Sequence, residues 1–317
     1  MNEPTPAAGT AGTPTQVLSI SPIVLPAPGR AVDLQLRVSA PVKGTELPIL
    51  LLSHGHGPSN FVSSLYGYAP LANYFAAQGF VVMQPTHLDS KTLPFRASDH
   101  PDAPLFWRSR AEDMTQILDQ LDAIERATPA LTGRLNRSKV AVIGHSMGAH
   151  TASVLLGTRH TDRDGKVVTV AEPRIRAGVL LAAPGRGDAL SAYAREHYSF
   201  FSTIDFSMMT TPALVVAGDK DDSTHLTTAG PAWHADPYIL SPSPKSLVTL
   251  FGAEHSLGGV AGYDLSETTD ENPERAAAVA HLAWAYLWSA LYGNQAWQEA
   301  QKELIAGANP VGQVQSK

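Results

Sequence analysis

From residue 16 onward, short β-branched and aliphatic runs alternate with longer stretches of helical period. This is the signature of βα units around a mostly parallel sheet. Residues 32–38 (VDLQLRV) alternate with period two and are expected to pair with 16–20 as antiparallel strands. Residues 49–53 (ILLLS) form an unbroken apolar run, as a strand covered on both faces requires. The runs at 80–83 (FVVM), 140–143 (VAVI), 177–182 (AGVLLA), 213–217 (ALVVA) and 246–251 (SLVTLF) share that character. Between them, Met114, Ile117, Leu118, Leu121 and Ile124 follow the i, i+3, i+4, i+7 spacing of a one-faced helix. A final helix is predicted to start with Asn272 as N-cap, Pro273 at the first helical position and Glu274 in the first turn. Gly293-Asn294 ends or interrupts it.

Residues 185–210 are rich in Tyr, Phe, Ser and Met without a clean period, which reads as a lid-like insertion between two strands. No internal repeat occurs, and no linker is long enough to separate two cores. The expected organisation is a flexible arm over 1–15 followed by a single domain over 16–317.

Composition narrows the function classes. The 317 residues are 44% apolar and 16% charged, against about 25% charged in an average globular protein. The net charge is -6, and no basic run could neutralise a phosphate backbone, so nucleic acid is not an expected partner. The absence of cysteine excludes a disulfide framework, a thiolate nucleophile, an iron–sulfur cluster and a Cys-ligated zinc. The uncharged stretch from Pro4 to Gly29 is broken by Pro6, Pro14, Pro22, Pro26 and Pro28, whereas a membrane helix needs roughly 20 consecutive apolar residues. The opening lacks the basic and apolar regions of a signal peptide and reads as cytoplasmic. Its Ala/Thr/Pro-rich character equally fits the mature end of a secreted or periplasmic chain. Nothing in the pattern speaks to oligomeric state.

The most specific motif is Gly144-His145-Ser146-Met147-Gly148, entered from an apolar strand and leaving into a small-residue helix start. A serine on so sharp a strand-to-helix turn is held in strained geometry, and glycines let strand and helix pass closely. Its hydroxyl is pushed out above the sheet, and the helix N-terminus lies beneath any developing oxyanion. Ser146 is therefore the candidate nucleophile. It needs a base oriented by a carboxylate. Of 12 histidines, only His255 combines a strand end, a position after the serine and a Gly-rich loop (Gly252 to Gly259). The strand over 213–217 runs into Gly218-Asp219-Lys220-Asp221-Asp222, which supplies carboxylates at the corresponding edge.

With these motifs in hand, the chain resembles a serine hydrolase of the α/β-hydrolase superfamily. It is similar to chlorophyllase-like, dienelactone-hydrolase-like and platelet-activating-factor-acetylhydrolase-like esterases. The resemblance implies an α/β-hydrolase fold over about 16–292, no cofactor and no metal. Its Gly-x-x-Asp pattern implies Asp221 as the triad acid, with Asp219 and Asp222 left as alternatives. It also implies that the Met147 and His56 amides form the oxyanion hole. The His54-Gly55-His56-Gly57 loop departs from the HGGG of related branches, which keeps Gly57 in play beside His56.

Other features read structurally. Arg110 and Asp113 fit an i, i+3 pair on a helix. His54 and His56 lack a third ligand and read as loop structure. His145 reads as packing, and His100, His160 and His197 lie in polar surroundings. The Trp233 to Tyr238 cluster reads as a packed rim. Gly57, Phe200, Phe201 and Leu257 are the expected substrate contacts. The expected activity is hydrolysis of a small to medium apolar ester, with lipase, thioesterase or amidase chemistry and a non-catalytic ligand-binding role as alternatives.

Overall fold

The computed structural model describes residues 15–95, 102–162, 164–262, 265–306 and 310–317. The expected arm over 1–15 and His100 therefore lie almost wholly outside the described residues.

Chain order is β1 (Val17–Leu25), β2 (Leu34–Pro41), β3 (Leu47–Ser53), α1 (Ala69–Ala77), β4 (Val81–Pro85), α2 (Trp107–Asp119) and α3 (Leu121–Ala127). There follow β5 (Leu135–His145), α4 (Met147–Leu155), β6 (His160–Thr161), β7 (Val167–Val168), β8 (Ile175–Leu181) and α5 (Ala192–His197). The chain continues through β9 (Ala213–Gly218), α6 (Asp236–Leu240), β10 (Lys245–Leu250), α7 (Pro273–Tyr292), α8 (Ala296–Ile305) and β11 (Gly312–Ser316). Among the described residues, nine strands form one sheet in the order β1-β2-β4-β3-β5-β8-β9-β10-β11. The central pairs from β4 through β10 are parallel, while β1-β2, β2-β4 and β10-β11 are antiparallel.

Burial explains why the central strands read as unbroken apolar runs. In β3, Ile49 and Leu51 join one core cluster and Leu50 and Leu52 the other. The same alternation divides Val140 and Val142 from Ala141 and Ile143 in β5. The first cluster is covered by α2, α3 and α4, and the second by α1, α7 and α8. The 114–124 stripe buries all five predicted residues, although the helix breaks at Gln120 into α2 and α3. Asn272 caps α7 as expected, its side chain accepting from the Arg275 N–H at 2.9 Å, and Gly293 ends it in the left-handed region at φ 69. Both α8 and the edge strand β11 lie beyond the predicted elements; β11 (GQVQS) is too short and polar to stand out.

The 185–210 segment is a string of short helical turns around α5, with Leu190, Ala194, Phe201, Phe206 and Met209 all buried in the first core cluster. Tyr193 and Met208 are exposed. Not all of its aromatic and methionine side chains therefore face one cavity.

Ser146 follows β5, Asp221 follows β9, His255 follows β10 and His56 follows β3, so all four project from the carboxyl edge of the parallel strands, where open α/β sheets bind ligands. The two motif glycines make the approach possible. A Cβ on Gly148 would lie 2.0 Å from the Ser53 carbonyl oxygen, and one on Gly144 would lie 2.0 Å from the Gly148 carbonyl oxygen. Both obstacles are backbone and cannot swing aside. Gly148→Ala should therefore lower thermal stability by more than about 3 kcal/mol. Gly133→Ala, at φ 68 with open space around it, should cost only about 1–2 kcal/mol of backbone strain. Thermal denaturation of the two variants side by side checks this; equal losses would remove the close-approach argument.

Candidate active site

Ser146 caps α4 at φ 55, ψ −121, a conformation costly for any residue but glycine. Its N–H donates to the Leu181 carbonyl at 2.9 Å, which ties the turn to β8. The Oγ lies 2.9 Å from His255 Nε2, and His255 Nδ1 lies 2.8 Å from Asp221 Oδ2. Because a carboxylate only accepts, Nδ1 carries the ring proton and Nε2 is left to accept from the serine hydroxyl.

Of the three loop carboxylates, Asp221 meets the His255 ring and is fully buried; Asp219 instead accepts the Gly252 N–H at 2.7 Å, and Asp222 is exposed. Ser223 donates to the other Asp221 oxygen at 2.7 Å. A second buried imidazole, His234, brings Nε2 to 3.1 Å from Asp221 Oδ2 without the alignment of a hydrogen bond, while its Nδ1 donates to the Ala183 carbonyl at 2.8 Å. Burial pushes the Asp221 carboxyl up, but His234 and His255 beside it outweigh burial and hold it well below the usual carboxylate range. The expected rim at Trp233 to Tyr238 thus sends one residue into the site.

His145 is buried and bonded at both nitrogens. Its Nε2–H donates to the His255 carbonyl at 2.7 Å, so Nδ1 accepts from the Tyr68 hydroxyl at 2.8 Å, which in turn accepts the Gly55 N–H at 3.0 Å. The chain of bonds runs from the β3 loop to the backbone of His255. Burial, and then the neighbouring His255, lower the His145 pKa to about 3.

The cavity around Ser146 has a volume of about 550 Å³. Met147, His56 and Gly57 all line it. Met147 is the first residue of α4, so its N–H has no acceptor within the helix. Phe201 lines the cavity as expected, beside Tyr198, Leu105 and Leu226. Phe200 does not: it lines a separate cavity of about 480 Å³ with Trp107 and His160, since neighbouring residues of a helical turn point about 100° or more apart. Leu257 is fully buried in the second core cluster rather than on the cavity wall. His160 is likewise buried, its Nε2 2.8 Å from His150 Nε2 and its Nδ1 3.1 Å from Thr203 Oγ1. His197 is exposed.

The expected Arg110–Asp113 pair does not form. Arg110, fully buried, donates to Asp89 Oδ1 at 2.5 Å, to Thr151 Oγ1 at 3.0 Å and to the His54 carbonyl. Asp113 takes Arg30 Nε at 2.8 Å and His87 Nδ1 at 2.8 Å. Buried charges must satisfy all their bonding directions, and each found partners on other elements instead of on its own helix. Asp89 was not visible in the sequence, because no motif marks the loop after β4.

Among the described residues, Asp221, His234 and His255 bring potential metal-ligand atoms within 4.8 Å of one another. An ion there would have to displace the His255–Asp221 bond. Also among the described residues, no helix is long and apolar enough to cross a membrane.

The mostly parallel sheet with helices on both faces is an α/β-hydrolase fold, and the proteins this chain resembles are serine esterases of that class. It is 29% identical over 188 residues to Cutinase 1 of Thermobifida cellulosilytica, covering 58% of this chain and 53% of that protein. It is 29% identical over 188 residues to the cutinase of Thermobifida fusca, covering 58% of this chain and 46% of that protein. It is 28% identical over 155 residues to the platelet-activating factor acetylhydrolase of Cavia porcellus, covering 38% and 34% respectively. The matches thus span about half or less of the length of these relatives. No protein-family model matches the chain.

Five buried histidines set the acid response. His54, His87, His145, His150 and His160 are all held below the ordinary imidazole range, with burial the first cause in each. Their pKa values are depressed in the native state, to about 3 for His145 and about 4 for His160, whereas unfolded histidine titrates near 6.5. Between these limits the unfolded chain binds protons that the native chain does not. Stability is therefore complete above about pH 6.5 and falls on acidification, by up to about 1.4 kcal/mol per pH unit for each histidine. Asp113, pushed up to about 6 by burial, opposes this as a single group. The melting temperature should drop markedly between pH 7 and pH 5; a constant value across that range would contradict the neutral assignment.

Proposed function

We propose that this chain is a serine carboxylic-ester hydrolase. The observation that carries the reading is the unbroken line of contacts from Ser146 Oγ to His255 at 2.9 Å and from His255 to Asp221 at 2.8 Å, on the wall of an open cavity. The similarity to cutinases and an acetylhydrolase supports the same chemistry. Ser146 attacks the ester carbonyl while His255 takes its proton, Asp221 stabilises the imidazolium, and His255 returns the proton to the departing alcohol. Water then repeats the sequence on the acyl-enzyme. The Met147 N–H, with that of His56 or Gly57, meets the oxyanion. We infer one hydrolase domain over 16–317, with 185–210 as its cap.

The cavity wall is divided. Tyr198, Phe201, Leu105, Leu226 and Val62 are apolar, while Glu254, Glu267, Thr268 and Thr269 are polar. Short to medium acyl or alcohol groups suit the apolar side, where each buried CH₂ is worth about 0.8 kcal/mol until the space is full. The two glutamates disfavour substrates with a free carboxylate.

Ser146→Ala should abolish turnover of a short-chain p-nitrophenyl ester, by a factor on the order of 10⁴–10⁶, with the fold intact. More than a few per cent residual activity would remove Ser146 as nucleophile. Asp221→Asn should cost about 10⁴, because an amide can hold the ring in the wrong tautomer, whereas the same change at Asp219 or Asp222 should cost little; kcat of the three variants decides the acid. EDTA should leave turnover unchanged, and loss restored by added divalent metal would overturn the cofactor-free mechanism.

A further inference from the structure

We propose that the His56 imidazole contacts the substrate and selects esters that carry a hydroxyl three or four bonds from the scissile carbonyl carbon, a reading that rests on the hydrolase function above. His56 lines the same cavity as Ser146 and His255, with its side chain 32% exposed. Its Nδ1 lies 3.0 Å from Asp89 Oδ2, and the Asp89 side chain is fully buried. The other Asp89 oxygen takes Arg110 at 2.5 Å, and Arg110 is itself pinned to Thr151 and to the His54 carbonyl.

Burial alone would raise the Asp89 carboxyl, but Arg110 and His56 outweigh it and hold the group well below the usual range, so it stays ionised. An ionised carboxylate only accepts, which places the ring proton on Nδ1 and leaves Nε2 an acceptor when the ring is neutral. The two nitrogens lie on different edges of the ring, so with Nδ1 held on buried Asp89 the Nε2 edge faces away from that carboxylate, on a residue that lines the cavity. Among the described residues no protein group bonds Nε2. A histidine that serves packing looks different here: His145 is buried and bonded at both nitrogens. The ring orientation of His56 is fixed by a buried ion pair, yet its second nitrogen is left for something that enters the cavity.

To meet the neutral ring, what enters must donate a hydrogen bond. The ring belongs to the oxyanion loop, so only a donor close to the carbonyl reaches it. A hydroxyl fits; a free carboxylate, which accepts, does not. The hydroxyl can sit on the acyl or the alcohol limb, and the test separates them. p-Nitrophenyl 3-hydroxybutyrate is compared with p-nitrophenyl butyrate, and ethylene glycol monobutyrate with propyl butyrate. The wild-type protein should favour the hydroxylated member of at least one pair by about five- to tenfold in kcat/KM, the worth of one net hydrogen bond. His56→Phe should bring that ratio to one whatever it does to the absolute rates, and His56→Gln, which retains an acceptor, should restore part of it. A ratio of one in both pairs, or a ratio that His56→Phe leaves unchanged, overturns the proposal. A readout without turnover uses Ser146→Ala with ¹⁵N-labelled histidine. Methyl 3-hydroxybutyrate or ethylene glycol monobutyrate should move the His56 Nε2 resonance, assigned by its loss in His56→Gln, and methyl butyrate should not. If hydrolysis is absent but the resonance moves, the hydrolase reading fails and the recognition stands; if neither hydroxylated ester moves it, the recognition fails.

Discussion

The close approach of β3 to α4 is the constraint on which the site depends. Because Gly148 has no side chain, the Ser53 carbonyl sits where its Cβ would be. That contact brings the first turn of the nucleophile helix against the end of the strand that carries His54, Gly55 and His56. Two amides from distant parts of the sequence can then face one point in space. The oxyanion hole of the proposed mechanism, built this way, would cost no reorganisation when charge develops, since the backbone is already held on both sides.

Holding those two elements in register is the work of buried polar groups. Arg110 bonds the His54 carbonyl on one side and Thr151 on the other, and Thr151 donates to the Met147 carbonyl at 3.0 Å. From the opposite side, Tyr68 and His145 join Gly55 to the backbone of His255. A buried arginine and a run of neutral histidines are poor contributors to stability, because each must be desolvated. What they supply is directionality: an apolar core would fill the same space without fixing which way the loop amides point.

How far this was legible in the sequence follows from the range of each interaction. Strands covered on both faces announce themselves as apolar runs, and β3, β5, β8, β9 and β10 lie where those runs lie. The glycine–serine turn is local, so Ser146 and its strained backbone could be read from five residues. His255 and the carboxylate loop followed from strand ends. The misses share one cause, which is that they concern partners chosen across elements. Spacing alone matched Arg110 with Asp113, but a fully buried guanidinium needs acceptors on several sides, and one neighbour on its own helix cannot provide them. Phe200 and Phe201 are equally aromatic in sequence, yet the turn that holds them sends them into different cavities. His234, on a short helical turn, and Asp89, in a loop, sit in segments without any motif.

Two imidazole–carboxylate pairs border the cavity, and the contrast between them shows how surroundings divide one chemistry into two roles. In both, the acid is buried and the ring proton is held on Nδ1. His255 spends its second nitrogen on a serine hydroxyl whose position is set by the elbow, and its backbone carbonyl is clamped by His145. It is therefore placed for proton transfer to a fixed atom. His56 stands on the loop that the proposed mechanism uses for the oxyanion, and the acid behind it is shared with Arg110, not with a second histidine. Among the described residues no serine or other proton donor bonds its Nε2, which leaves that nitrogen for a group brought by the ligand. The carboxylate fixes the ring in each case; what lies on the far side of the ring decides whether it moves a proton or reads one.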